Sequence, residues 1–173
     1  MATLADGRQI ANPRLFRVAE LNLKRAQRRV SRRQPGSQRR QQAVWLLAKA
    51  HQQVRRARCA FQHKVARGGV LALVPQDDTL DSEDVQTARL LRNHHLAKSI
   101  ADAGWRAFLT ILACTAVCAG KRAVAVLPAS TSQTCSGGGM LVHKGLSVRW
   151  HLCPDCGTRL QRDHDAAKNQ AVE

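Results

Sequence analysis

Apolar residues recur at Phe16, Ala19, Leu23, Ala26 and Val30, stepping 3, 4, 3, 4, which is the seam of a helix. The stretch "QPGSQ" (34–38) interrupts it, and a second seam follows at Ala43, Leu47, Ala50, Val54, Ala57 and Phe61. Matching seams across a short Pro-Gly break predict an antiparallel helical hairpin. Ahead of it, "MATLADGRQIANPRL" reads as a short β-hairpin turning at Asp6-Gly7 and closed by Pro13. Behind it, "GGVLALV" (68–74) predicts a buried strand, followed by the acidic run "DDTLDSED" (77–84). Asn93 then caps a helix whose inner face is Leu96, Ile100, Ala103, Ala107, Ile111, Cys114 and Cys118. Gly120 ends that helix, and "RAVAVLP" (122–128) predicts a second buried strand. "RDHDAAKNQ" opens a last helix with acids in its first turn. Strand, helix, strand, insertion, helix is an α/β layout.

Charge changes this picture. The formal net charge of the 173 residues is +16, and residues 1–70 carry 17 Lys and Arg against two acids. Residues 71–173 are nearly balanced, with 11 basic and 10 acidic residues. Arg25, Arg28, Arg29, Arg32 and Arg33 fall off the first seam, and Arg55, Arg56 and Arg58 off the second. Such a block suits nucleic acid, because each neutralised phosphate releases counterions; a solubilising helical face is the plainer reading. The start "MATLADGRQI" lacks the apolar core of a signal peptide. The apolar stretch 107–120 is shorter than the ~18 residues of a membrane span. The expectation is a cytoplasmic protein without membrane contact, its cysteines reduced.

Three of the six cysteines bring in chemistry. "HLCPDCG" holds Cys153 and Cys156 in knuckle spacing, and "TCSGGGM" holds Cys135 with Gly138 where a partner thiolate would stand. Glycine follows each knuckle, at Gly139 and Gly157. Structural zinc takes four ligands, so three thiols imply an incomplete, weak site unless His143 or His151 supplies the fourth. Cys59, Cys114 and Cys118 lie on helical faces and are expected to be small core residues. Glu83, after a strand, and Asp163, at a helix start, read either as ordinary acids or as carboxylates that clamp divalent metal around a phosphate.

The string "TSQTCSGGGMLVHKGLSVRWHLCPDCGTRLQRDHDAAKN" (131–169) resembles the C-terminal signature of transposon-encoded TnpB (OrfB) proteins. These are RNA-guided DNA endonucleases of bacterial insertion sequences, related to type V CRISPR effectors. The resemblance extends through "SEDVQTARLLRNHHLAKSIADAGW" (82–105) and "DGRQIANPRLFRVAELNLKRAQRRVSRR" (6–33). It implies a truncated RuvC-like (RNase H) α/β fold in 1–130 and 161–173, with the basic helical hairpin (12–67) and a zinc-ribbon insert (131–160) added to it. It implies guide RNA and DNA as partners and a place at the bacterial nucleoid. Of the family's three Mg²⁺-binding carboxylates, Glu83 in "SED" matches the second and Asp163 in "QRDHDAAKN" the third. The first belongs to a strand expected ahead of Met1, and Asp6 in the turn is no substitute. Cys135, Cys153 and Cys156 match ribbon ligands, Gly138 replaces the fourth, and Asp165 stands where the family has Asn. The expectation is a nucleic-acid binder with impaired Mg²⁺-dependent cutting. The alternatives are a non-catalytic remnant and a small RNA-binding knuckle protein. No Tyr, three Phe and three Trp leave little for base stacking, and Trp45, Trp105 and Trp150 read as packing residues.

Overall fold

The computed structural model describes residues 2–73, 79–128, 130–145 and 147–171. In chain order they form β1 (Ala2–Thr3), β2 (Gln9–Ile10), α1 (Leu15–Ser31) and α2 (Gln38–Leu73). Then come β3 (Thr79–Glu83), α3 (Thr87–Leu90), α4 (His94–Ala103), α5 (Trp105–Cys118) and β4 (Arg122–Val126). Last are β5 (Trp150–Leu152), β6 (Arg159–Gln161) and α6 (Arg162–Gln170). β1 and β2 form the expected antiparallel hairpin. The Asp6 carboxylate accepts the Arg8 amide at 2.8 Å, and Gly7 takes φ +87°, a conformation open to glycine at no steric cost.

The two helical seams meet. Leu23 and Ala43 are buried, and Phe16, Ala19, Ala26, Val30, Leu47, Ala50 and Val54 are half-buried. α2 departs from the sequence pattern in two places. It runs through Gly68 to Leu73, where the apolar run predicts a strand; Val74 lies outside the described residues. An unpatterned apolar run does not separate strand from helix, and Leu and Ala extend a helix already nucleated. α2, moreover, packs on α5 as well as on α1, and its buried face changes towards its C-terminal end. Ala57 is therefore exposed and Arg58 half-buried, while Gln62 and Ala66 turn fully inward.

The helix capped by Asn93, whose side chain accepts the His95 amide at 3.1 Å, is two helices. Gly104 adopts φ +65° and splits it. By length and composition His94–Cys118 is apolar enough to cross a membrane, with 25 residues. The break leaves helices of 10 and 14 residues, each shorter than a span requires. It also resets the helical phase. Trp105, Phe108, Leu109 and Leu112 are half-buried and Ala116 is fully buried, whereas Ala107, Cys114 and Cys118 are exposed. Cys59 is exposed too, so none of these three cysteines is the core residue expected of it. Trp45 and Trp150 lie open at 61% and 59% exposure. Each is crossed by a cation, Lys49 over Trp45 and Arg159 over Trp150; of the three tryptophans only Trp105 packs.

β3 and β4 pair in parallel, Leu80 opposite Ala123 and Glu83 opposite Val126. Leu80 packs on Ala116 and Leu112, so α5 covers one face of the pair. Strand, helices and parallel strand form an α/β unit as expected, but its first strand lies at 79–83, in the stretch read as an acidic run, and β4 is exposed except at Val126 rather than buried. β3 carries Glu83 at its C-terminal end. Gly104→Ala is expected to cost about 1–2 kcal/mol, because an L side chain in a left-handed conformation meets the following carbonyl. Its Cβ would also stand 2.5 Å from Gln62 Nε2, which donates to the Gly104 carbonyl. Chemical denaturation measures this; an unchanged midpoint contradicts the break.

Candidate metal knuckles and acidic cleft

Two knuckles of matching form face each other. In the first, the Cys135 carbonyl accepts the Gly139 amide at 2.8 Å; in the second, the Cys153 carbonyl accepts the Gly157 amide at 3.1 Å. Gly139 and Gly157 hold φ of +69° and +71°. Gly138 thus occupies in the first knuckle the place of Cys156 in the second. A Cβ built on Gly138 lies 3.4 Å from Cys156 Sγ, which puts the position at the thiol cluster. Cys135 and Cys153 are buried and Cys156 exposed, and the three Sγ atoms lie within 4.8 Å of one another. The Thr158 hydroxyl, 3.0 Å from Cys156 Sγ, leads the interactions that bring this thiol down to about 7. Soft sulfur donors at this separation can bind a metal ion.

Of the two histidines that could complete the set, His143 is exposed. His151 on β5 is fully buried, with Nδ1 3.2 Å from Asp165 Oδ2. Together with Cys135 they form a second cluster of donor atoms within 4.8 Å.

Asp165 belongs to α6, which ties the knuckles to the cleft. Its Oδ1 accepts the Ser136 amide at 3.1 Å. One turn on, Asn169 Nδ2 donates to the Thr131 and Thr134 carbonyls at 2.9 and 2.8 Å. Residues two apart on a helix stand ~200° around its axis, so Asp163 faces away from the knuckles. It shares with Glu83 a cleft of about 470 Å³ that Asp81, Ser82, Trp105, Leu112 and Arg162 also line. Glu83 lies at the open mouth of this cleft. Even so, desolvation by the walls pushes its carboxyl above the ordinary value, and the Asp163 charge adds to the shift. Two converging carboxylates of this kind are what a divalent cation neutralises. Among the described residues no group of three His, Cys, Asp or Glu at ligand-sharing distance includes Glu83 or Asp163.

The arginines divide. Arg25, Arg28, Arg29, Arg32, Arg55 and Arg56 are exposed and Arg33 is half-buried. Arg58 instead donates its guanidinium to the Ala101 carbonyl on α4, so it serves packing rather than the outward basic face. The sequence carries no direct mark of the α6 clamp, although the four-residue step from Asp165 to Asn169 puts both on one helical face.

Residues 1–93 match the OrfB_IS605 family of probable transposases, and residues 105–170 match the Cas12f1-like TNB domain. The chain belongs to the OrfB_IS605 family. It is 34% identical over 173 residues to a Streptomyces pristinaespiralis protein named "Putative RNA-guided DNA endonuclease". The match takes in 98% of this chain and 41% of that relative, so the chain spans less than half of the relative's length. Its fold is similar to that of Cas12f1 in a cryo-EM structure of the Cas12f1–sgRNA–target DNA complex. The TM-score is 0.62 at 15% identity, covering 94% of this chain and 43% of that one.

The Glu83 shift has a signed consequence. A carboxyl whose folded pKa is raised destabilises the fold as pH rises past its ordinary value of 4.5. In metal-free protein Glu83→Gln is expected to stabilise the fold at neutral pH, by ~0.5 kcal/mol or less at so open a position. The gain should vanish below the ordinary carboxyl range, as thermal melts across pH would report. A Glu83→Gln variant less stable than the parent at pH 7 contradicts the electrostatic reading.

Proposed function

We propose that this chain is part of an RNA-guided DNA endonuclease of the TnpB type. In this reading it binds nucleic acid through the outer arginines of the α1–α2 hairpin. The fold is a RuvC-like (RNase H) unit formed by 1–130 and 161–173, and residues 131–160 are its zinc ribbon. Glu83 and Asp163 hold Mg²⁺, and Cys135, Cys153 and Cys156 hold zinc. The observation that carries the reading is the convergence of Glu83, at the end of a parallel strand, with Asp163, at the start of α6, on one cleft. Carboxylates at such ends bind the divalent ion that stabilises the attacking and leaving oxygens of a phosphodiester. What the chain itself does is hold the two carboxylates at fixed separation, through β3 and through α6. In-line displacement depends on that geometry. Two carboxylates alone under-neutralise a pair of metal ions, so a further acidic ligand beside Glu83 and Asp163 would complete the site.

Filter binding of single-stranded RNA and DNA over a salt series, with a Mg²⁺ cleavage assay beside it, tests the reading. Affinity is expected to fall steeply with salt. Replacing Arg25, Arg28 and Arg29 together by Ala should lower the log–log slope by about 3, roughly one per phosphate contact. Arg58→Ala should leave the slope unchanged. Salt-independent binding contradicts the hairpin as the contact surface, and strong Mg²⁺-dependent cutting that survives Glu83→Ala contradicts the carboxylate assignment.

A further inference from the structure

The matched knuckles leave one corner without a thiolate. Three observations bear on what fills it. His151 is fully buried, and its Nε2 has no hydrogen-bond partner. An orphaned buried nitrogen is costly to keep from water, which sets the imidazole apart from a satisfied core residue. The ring also lies on the right side of its strand. His151 and Cys153 are two residues apart and both buried, while Leu152 between them is exposed, so the two side chains leave one face of the chain. Finally, Asp165 Oδ2 stands 3.2 Å from His151 Nδ1 and is, like Nε2, a buried polar atom without a hydrogen-bond partner, so it is free to accept the Nδ1 proton. Carboxylate to one ring nitrogen and metal to the other is how proteins orient a ligand histidine and fix its tautomer.

We propose that His151 supplies the fourth zinc ligand through Nε2, in place of the absent thiolate at Gly138, and that Asp165 orients it. The site is then Cys₃His, closed and four-coordinate as structural zinc requires. This rests on reading the knuckles as a zinc site. Cys135 is the shared corner, lying within 4.8 Å of the other two thiols in one cluster and of His151 and Asp165 in the other. The four donors do not yet sit in one such shell, so the ring moves towards the thiols when the ion enters. Lys144 Nζ also reaches His151 Nδ1 and would favour the opposite tautomer if it donated there. Asp165 must therefore hold the Nδ1 proton for Nε2 to present its lone pair. Oδ1 of Asp165 already holds the first knuckle at Ser136, and Oδ2, unpartnered in the metal-free chain, gains the hydrogen bond from His151 Nδ1 as the ring turns to the ion.

The test uses the full chain, first stripped of metal and then titrated with Zn²⁺. Histidine-ring ¹⁵N spectra show which nitrogen binds, and the readout needs no variant. The expected result is one zinc per chain and a metal-bound shift at His151 Nε2, with Nδ1 protonated. Chelator competition should then show Asp165→Asn weakening zinc by ~10–100-fold, the usual loss for a ligand's hydrogen-bond partner. His151→Ala should weaken it further, and adding Gly138→Cys to His151→Ala should restore it. Lys144→Met should not weaken it. One zinc per chain with an unchanged His151 ring overturns the proposal in favour of three thiolates and a solvent ligand, and leaves the knuckle reading standing. A metal-bound Nδ1 overturns the role of Asp165. No zinc bound by the parent chain, with binding gained in Gly138→Cys, overturns the proposal and leaves the knuckle geometry standing; no zinc bound by either chain overturns both.

Discussion

The position of α6 governs both halves of the chemistry in this chain. A helix of nine residues is too short to hold itself in water, so its place is set by what grips it. Asp165 and Asn169 bond the backbone of residues 131, 134 and 136. From the next helical face His164 reaches the Ala5 carbonyl at 3.0 Å. With these faces engaged, Asp163 is left turned to the cleft. Where the knuckles stand therefore decides where the carboxylate stands.

The basic half obeys a separate constraint. Its helices share a thin seam of small residues, and most of the surface is left to arginine and glutamine. That suits a partner whose binding energy is electrostatic, since long basic side chains need a stable axis rather than a large core. The hairpin is anchored by its far end. There Arg58 and Gln62 bond the carbonyls of Ala101 and Gly104, and the Asp102 carboxylate accepts the Phe16 amide at the start of α1 at 3.0 Å. The turn at Gly104 exposes those carbonyls, so one glycine joins the hairpin to the α/β unit.

Much of this was legible from spacing. The hairpin seams, the Asn93 cap and a strand at 122–126 follow from periodicity and turn chemistry. Asp163 took its weight from a helix start that the fold reproduces, whereas Glu83 ends a strand at 79–83 and not the one expected at 68–74. The errors share a cause: each came from extending a pattern past a change of partner. The second seam continues only while α2 faces α1, so Ala57 and Arg58 exchange roles. The face drawn from Leu96 to Cys118 ignores the phase reset at Gly104. The run 68–74 has no period at all, and its Leu and Ala continue the helix. His151 and Asp165 could not be paired from sequence, because fourteen residues and a knuckle separate groups that meet only in three dimensions.

The central claim is that Glu83 and Asp163 form one cation site. Mn²⁺ titration followed by amide NMR tests it most directly, because a paramagnetic ion broadens only signals near where it binds. The account predicts selective loss of signals at residues 81–84 and 162–167 at low Mn²⁺, abolished in Glu83→Gln. Broadening centred on the knuckles, or spread evenly along the chain, would contradict it.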